Sequence, residues 1–226
     1  EVDYYCNEFK GDIMEKIDIK KRRMMKYFIE AAREIIDNEG IEKVTIRKVA
    51  SRAGYNSSTL YNYFDNLEHL TFFAVFHYFQ DYTNDIGNKL KYSRNSMERF
   101  FIIWESFCLY SFKYPKIYKT MFFGEFNRSI DESIKAYYKI FQHETDDLNE
   151  ETKEMIESGD IYVRNSLLLE SCAREEFIDK SHINELNEII LLTYEAMITR
   201  YINNKICGTP EEMTKKFMLY LKRIMK

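Results

Sequence analysis

Turn-forming residues are what this chain most conspicuously lacks. Seven glycines and two prolines are spread over 226 residues, so the residues that build tight turns and β-hairpins are scarce. Apolar side chains meanwhile return at three- and four-residue intervals almost throughout, the spacing of one helix face. A chain patterned this way folds as helices joined by few breaks, and the fold class expected is all-α. Phenylalanine and tyrosine supply most of an aromatic content of 16%. That is enough ring area to fill a helical core and to line a pocket as well.

The breaks are informative because they are rare. A first helix is expected over Lys20–Asn38, with Met24, Phe28, Ala31, Ala32, Ile35 and Ile36 on one face and Gly40 just past its end. Thr45 is a good N-cap for a second helix whose buried stripe is Ile46, Val49, Ala50 and Ala53. Gly54 then permits a left-handed turn, and Asn56 caps a third helix, Ser57–Phe64, with Leu60 and Phe64 facing inward. Asp65 to Glu68 has the form of a capping box and opens a fourth helix, Leu67–Lys91. Further helices are expected at Ser96–Phe112, Pro115–Phe122, Asn127–His143, Glu150–Glu157, Ile161–Glu176, Ser181–Asn203 and Pro210–Met225. Both prolines stand at first-turn positions, where the missing N–H costs nothing.

Charge is uneven along the chain. The net value is −4, but residues 1–19 hold six acids against two bases, and residues 20–66 hold ten bases against six acids. The one basic segment is therefore the segment with three short helices, the footprint of a nucleic-acid contact. Cys6, Cys108, Cys172 and Cys207 stand far apart, which suggests neither a zinc knuckle nor a disulfide framework and fits reduced thiols in a cytoplasmic setting. The acidic start has no signal-peptide pattern, and no apolar run is long enough to span a bilayer. No nucleophile elbow, phosphate-binding glycine loop or HExxH pattern is present, so enzyme chemistry and a cofactor have no support. His143 and Asp147 are spaced to share a metal, but the acidic run around them reads as a solvated face; His69 and His77 read as structural or surface residues.

Two short helices joined by a tight glycine turn spell helix-turn-helix. The stretch from Phe28 to Leu70, with Ala31-Ala32, Gly40, Thr45, Arg47, Val49-Ala50, Ala53-Gly54, Thr59-Leu60-Tyr61 and Phe64, resembles the DNA-binding region of TetR/AcrR-type transcriptional regulators. The resemblance implies an N-terminal tail over 1–18, a DNA-binding domain over 19–66 and a ligand-binding and dimerisation domain over 67–226. The expected third helix carries no lysine or arginine, so its contacts must come from neutral donors and from neighbours. Ser57, Ser58 and Thr59 stand where backbone N–H groups favour an anion, and Thr45 opens the helix before it. Asn62 can read an adenine edge, and Tyr63 can reach base or backbone. The resemblance makes Tyr61 a phosphate contact and Arg47 a base or phosphate contact. It also makes Lys20, Lys21, Arg22 and Arg23 a basic arm, with Lys48 and Arg52 adding charge from the second helix. Two residues depart from the family pattern. Leu67 stands where a phosphate-gripping lysine is usual. Tyr55 replaces a small aliphatic residue, and either packs on the first helix or reaches the DNA backbone.

For the rest of the chain the resemblance implies an effector pocket and a dimer. Pocket candidates are Trp104, Phe107, Cys108, Phe122, Phe123, Phe126, Tyr137, Tyr138 and Phe141, suiting a hydrophobic or aromatic small molecule. Two stripes, Ile183, Leu186, Ile190, Met197 and Tyr201, then Met213, Phe217, Tyr220 and Ile224, suit a four-helix dimer interface; the alternative is that both pack inside one chain. The function expected is a repressor that binds a near-palindromic operator as a homodimer and is released by its effector. Alternatives are a regulator without a small-molecule effector and a helical binding protein that no longer binds DNA.

Overall fold

A computed structural model describes residues 2–123 and 150–226. These residues form ten α-helices and two single 3₁₀ turns, with no strand among them. The helices are α1 (Val2–Glu39), α2 (Ile46–Arg52), α3 (Ser57–Leu60), α4 (Leu67–Leu90), α5 (Ser96–Lys113), α6 (Pro115–Phe123), α7 (Glu150–Glu157), α8 (Ile161–Arg174), α9 (Ile183–Ile202) and α10 (Pro210–Ile224). The helix expected at Asn127–His143 lies outside the described residues. The chain divides into two compact units, one ending at Ala74 and the other beginning at Val75.

In the first unit, α1, α2 and α3 close around Phe28, Ala31, Ala32, Ile35, Val49, Ala50, Leu60 and Phe64, all buried. Phe28 sits at the centre, with the Tyr55, Tyr63 and Phe64 rings 5.5, 5.9 and 6.4 Å away. Helix α1 is longer than the expected Lys20–Asn38 and begins at Val2. The upstream residues hold no proline and one glycine, Gly11, so little in their propensity ends the helix at Lys20. Helix α3 is shorter than the expected Ser57–Phe64: α-helical winding stops at Leu60. The chain tightens there, Asn62 N–H donating to Thr59 O at 3.2 Å and Tyr63 N–H to Leu60 O at 2.9 Å, the i→i+3 pattern of a 3₁₀ turn. The cap of α4 is displaced by one residue from the expected Asp65. Asn66 Oδ1 accepts from His69 N–H at 2.7 Å, and the His69 ring reaches back to accept from Asp65 N–H at 3.3 Å.

In the second unit, α5 lies along α10, α8 packs on α5, α7 and α9, and α6 packs on α5 and α9. The core is aromatic. The fully buried Tyr194 ring meets Phe107 at 5.3 Å, Trp104 at 5.6 Å and Phe217 at 5.7 Å, and Trp104 meets Phe217 at 5.1 Å. Polar ties fix the register of these helices. Trp104 Nε1 donates to Asn165 Oδ1 at 2.8 Å, Asn165 Nδ2 to Asn187 Oδ1 at 2.9 Å, and Asn187 Nδ2 to Tyr162 O at 3.0 Å. The chain of bonds joins α5, α8 and α9 and satisfies polar atoms that burial would otherwise penalise. At the other end of α8, Glu175 accepts from Ser96 N–H at 2.9 Å and from Arg99 Nη2 at 3.2 Å, adding a second cap to α5 beside Asn95. Thr209 and Glu212 form the expected capping box of α10.

Phe217 is wholly buried and touches both Trp104 and Tyr194. Phe217→Ala is expected to destabilise the chain by about 3–5 kcal/mol, read as a lower urea midpoint with Trp104 fluorescence as the probe.

Candidate functional site

The surface of the first unit that carries the basic segment is built on one turn. Gly54 has φ 79°, its N–H donates to Ser51 O at 3.2 Å, and Tyr55 N–H donates to Ala50 O at 2.8 Å. These two bonds close the end of α2 as a Schellman motif, with glycine at the left-handed position. Nothing lies within 4 Å of where a Gly54 Cβ would stand, so the requirement for glycine is one of backbone conformation, not space.

The turn delivers Asn56 to the start of α3. Its Oδ1 accepts three hydrogen bonds, from Thr59 N–H at 2.9 Å, Thr59 Oγ1 at 2.9 Å and Ser58 Oγ at 2.6 Å. The hydroxyl protons of Ser58 and Thr59 thus point inward to the cap. Both residues were expected as donors to phosphate; here their hydroxyls turn lone pairs outward instead. Ser57 is half-buried, while Tyr61, at 57% exposed, and Asn62 stand clear of the surface. Tyr63 is half-buried against Phe28, and Tyr55 packs on the same ring from the turn. Thr45 caps α2, its Oγ1 accepting from Lys48 N–H at 3.3 Å.

The charged neighbours divide into two groups. Arg47 is exposed and forms no ion pair among the described residues. Lys48 bonds to Glu39, and Arg52 pairs with Glu34 at 3.2 Å and Glu39 at 3.8 Å. Glu39 is held below the ordinary carboxylate range, chiefly by that Lys48 bond. The expected cationic supply from α2 is therefore partly neutralised by the end of α1. Lys20, Lys21, Arg22 and Arg23, expected as an arm ahead of the first helix, lie within α1. Four consecutive helical residues point around the full circumference, and Lys20, Lys21 and Arg23 are exposed while Arg22 is half-buried. Leu67, at the lysine position of the family pattern, is half-buried at the start of α4.

A second feature lies inside the other unit. A cavity of about 20 Å³ is lined by Tyr82, Ile103, Trp104, Phe107, Met155, Ile161, Arg164, Asn165 and Leu168. That is room for about one water molecule. Of the expected pocket residues, Trp104 and Phe107 line it. Phe122 is buried behind it, 5.4 Å from the Arg164 guanidinium. Cys108 is fully buried in the core and is not among the lining residues, and Phe123 packs on Tyr194 at 6.0 Å. Phe126, Tyr137, Tyr138 and Phe141, like His143 and Asp147, lie outside the described residues. Arg164 was missed, although its signal is in the sequence: with Asn165 it interrupts the apolar stripe of Ile161, Leu168, Leu169 and Cys172. Among the described residues no three His, Cys, Asp or Glu side chains gather to hold a metal, and no helix is long and apolar enough to cross a membrane.

The expected interface stripes are largely internal. Ile183, Ile190, Met197, Met213 and Phe217 are buried within the single chain, and Leu186, Tyr201, Tyr220 and Ile224 are half-buried. Helical periodicity reports that a face is covered, not by which chain. The apolar side chains left outward on these helices are Ile189, Leu192 and Leu219, the first two one turn apart on α9.

A glycine-turned helix pair with a polar, partly basic outer surface defines the first unit as a helix-turn-helix DNA-binding domain. Residues 28–72 match the family model described as bacterial regulatory proteins, tetR family, so the first unit carries the helix-turn-helix domain of that family. No curated protein matches the sequence. Among solved structures, the chain is similar to Thermus thermophilus FadR, a TetR-family repressor in complex with lauroyl-CoA. The identity is 13%, the match covers 89% of this chain and 95% of that one, and the TM-score is 0.58. It is also similar to the fatty acid degradation regulator FadR from Bacillus halodurans, at 14% identity, 87% and 93% coverage and a TM-score of 0.55. At these identities the likeness is one of fold, and it spans both units.

His69 gives the DNA-binding unit a pH dependence. Its ring packs edge-on against Phe64 at 5.7 Å and Phe73 at 5.1 Å. Burial holds its pKa below the ordinary 6.5, and the Asp65 carboxylate only partly opposes this. The unfolded chain therefore binds the proton more readily, and stability present above pH 6.5 is lost as pH falls from that value through the lower pKa of the folded state. A thermal melt of the full chain followed across pH 7.5 to 5 is expected to show this decline, and His69→Gln to flatten it, in a window well above the carboxylates.

Proposed function

We propose that the chain is a repressor that binds a near-palindromic operator as a homodimer and is released by a small effector bound in the second unit. The carrying observation is the exposed trio Arg47, Tyr61 and Asn62 on a helix-turn-helix whose turn is closed by Gly54 and Asn56. Asn62 reads an adenine edge, Tyr61 donates to phosphate, and Arg47 supplies charge to a base or phosphate. Exposed Lys20, Lys21 and Arg23 add phosphate contacts from α1. Tyr55 serves packing, and Ser58 and Thr59 serve the cap more than the DNA. The domain division follows: DNA binding up to the start of α4, effector binding and dimerisation beyond it.

The dimer is assigned to the outward faces of α9 and α10, through Ile189, Leu192 and Leu219 with half-buried Leu186 and Tyr220 at their margins. A two-fold pair of such faces presents two recognition helices about one DNA turn apart. Effector binding favours a state in which α4 moves and the recognition helices change separation, which requires different effector affinities for the two states. A likeness in fold to a repressor crystallised with lauroyl-CoA supports an effector with an apolar body. One observation favours the alternative of a regulator without a small-molecule effector: the interior cavity has room for about one water.

The test is binding of the purified protein to DNA from upstream of its own gene against random duplex at one salt concentration. Site-selective binding is expected, and Asn62→Ala is expected to lose about 1–3 kcal/mol of discrimination at one base pair. Equal, weak binding to both duplexes would count against the proposal. Leu192→Glu places a charge on a residue that is 53% exposed in the single chain. It is expected to leave the fold intact, shift sedimentation to monomer and weaken operator binding at least tenfold. Unchanged sedimentation would remove α9 from the interface.

A further inference from the structure

The outward faces of α9 and α10 carry charge in complementary order. On α9, Glu188, Leu192, Ala196 and Arg200 are exposed on one face, with Glu195 half-buried beside them. On α10 the exposed side chains include Glu211, Lys216, Leu219 and Arg223. Among the described residues, none of these six charged side chains forms an ion pair. Apolar area is left outward beside them, Leu192 being 53% exposed and Leu219 51%. Charge and apolar surface are thus both open to a partner.

The levels of these residues follow from one contact. The Tyr194 and Phe217 rings meet at 5.7 Å, which sets α9 and α10 at the same height there. The two helices are consecutive, and Tyr201 Oη donates to Gly208 O at 3.1 Å across their connection. A connection this short makes them antiparallel neighbours. Equal steps from the Tyr194–Phe217 contact, in opposite directions along the sequence, therefore reach equal heights. Glu188, six residues before Tyr194, is level with Arg223, six after Phe217. By the same steps Glu195 is level with Lys216, Leu192 with Leu219 and Arg200 with Glu211. Each charged level holds an acid on one helix and a base on the other, and leucine stands with leucine between them.

A two-fold axis running along the helices preserves height, so each residue meets residues of its own level on the partner. Two pairings are then open. With α9 against the partner's α9, acid meets acid, and with α10 against α10, base meets base. With α9 against the partner's α10, opposite charges meet at every charged level. Resting on the reading of the chain as a homodimer, we infer that this charge order selects both the pairing and the partner: Glu188 faces the partner's Arg223, Glu195 the partner's Lys216 and Arg200 the partner's Glu211, around a centre of Leu192 and the partner's Leu219. The leucines supply affinity. The charges at the rim supply register and specificity, because juxtaposed like charges cost far more than exposed ion pairs contribute. The surface accepts a second copy of this chain and rejects a chain of similar fold whose charges run in another order.

Sedimentation equilibrium of the full chain tests this with three variants: Glu188→Lys with Glu195→Lys on α9, Lys216→Glu with Arg223→Glu on α10, and all four changes in one chain. None of the four side chains is buried in the single chain, and circular dichroism checks that the helices remain. At low salt each two-residue variant is expected to dimerise about tenfold or more weakly than the wild type, with the gap narrowing at high salt. The four-residue variant restores opposite charges at the same levels and is expected to recover wild-type dimerisation. Mixing the two two-residue variants is expected to give a heterodimer tighter than either homodimer, a readout that stands even if the four-residue variant fails to fold. Two-residue variants that dimerise like the wild type overturn the inference, as does a four-residue variant that folds but dimerises no better than they do. A wild type that stays monomeric overturns the homodimer reading, and this inference with it. A dimeric wild type indifferent to the charge reversals overturns this inference alone.

Discussion

The side-chain oxygen of Asn56 and the left-handed turn at Gly54 together decide what the DNA-binding unit can present. Gly54 ends α2 and aims Asn56 at the start of α3; Asn56 then gathers the Thr59 amide and the hydroxyls of Ser58 and Thr59. The short helix that results, four residues long, needs this cap because it has too few internal bonds to hold itself. Winding beyond Leu60 tightens into a 3₁₀ turn that leaves Tyr61 and Asn62 exposed while returning Phe64 to the core. The same ring core, centred on Phe28, takes up Tyr55 and Tyr63. The outward chemistry of the helix is what remains after the fold has used its share.

Charge follows the same logic. A recognition helix without lysine or arginine depends on its neighbours for phosphate contacts. Yet two cations of α2 are engaged by Glu34 and Glu39 at the end of α1. These ion pairs are exposed and contribute little to stability, but they compete with phosphate for the same side chains. Arg47 is exposed and forms no such pair among the described residues. In the second unit the situation is reversed: Arg164 is a cation in the core, held among aromatic rings, and the polar ties through Asn165 and Asn187 keep α5, α8 and α9 in register around it.

What could be read from the sequence was what is local. Thr45, Asn56 and Thr209 cap the helices they were expected to cap, because a cap is a contact between residues three apart. Gly54 adopts positive φ because the turn that needs it is four residues long. The cap of α4 slipped from Asp65 to Asn66, since adjacent residues of equal capping propensity cannot be ranked by type alone. What could not be read was the identity of the partner. Ile183, Ile190, Met197, Met213 and Phe217 form a periodic stripe, but α5 and its neighbours within the same chain already cover it. Ser58 and Thr59 carry hydroxyls, but only the Asn56 geometry shows that their protons are taken. The pocket residues were sought among aromatics, and of these Trp104 and Phe107 line the small cavity, beside the polar Arg164 on an apolar stripe.

The central claim is that DNA contact here is set by which side chains the fold leaves unengaged. The most direct test is the slope of log operator affinity against log salt concentration for the wild type, Arg47→Ala and Lys48→Ala. The account predicts that Arg47→Ala lowers the slope by about one per protomer, while Lys48→Ala, whose charge is held by Glu39, leaves it nearly unchanged. A fall in slope as large for Lys48→Ala as for Arg47→Ala would contradict it.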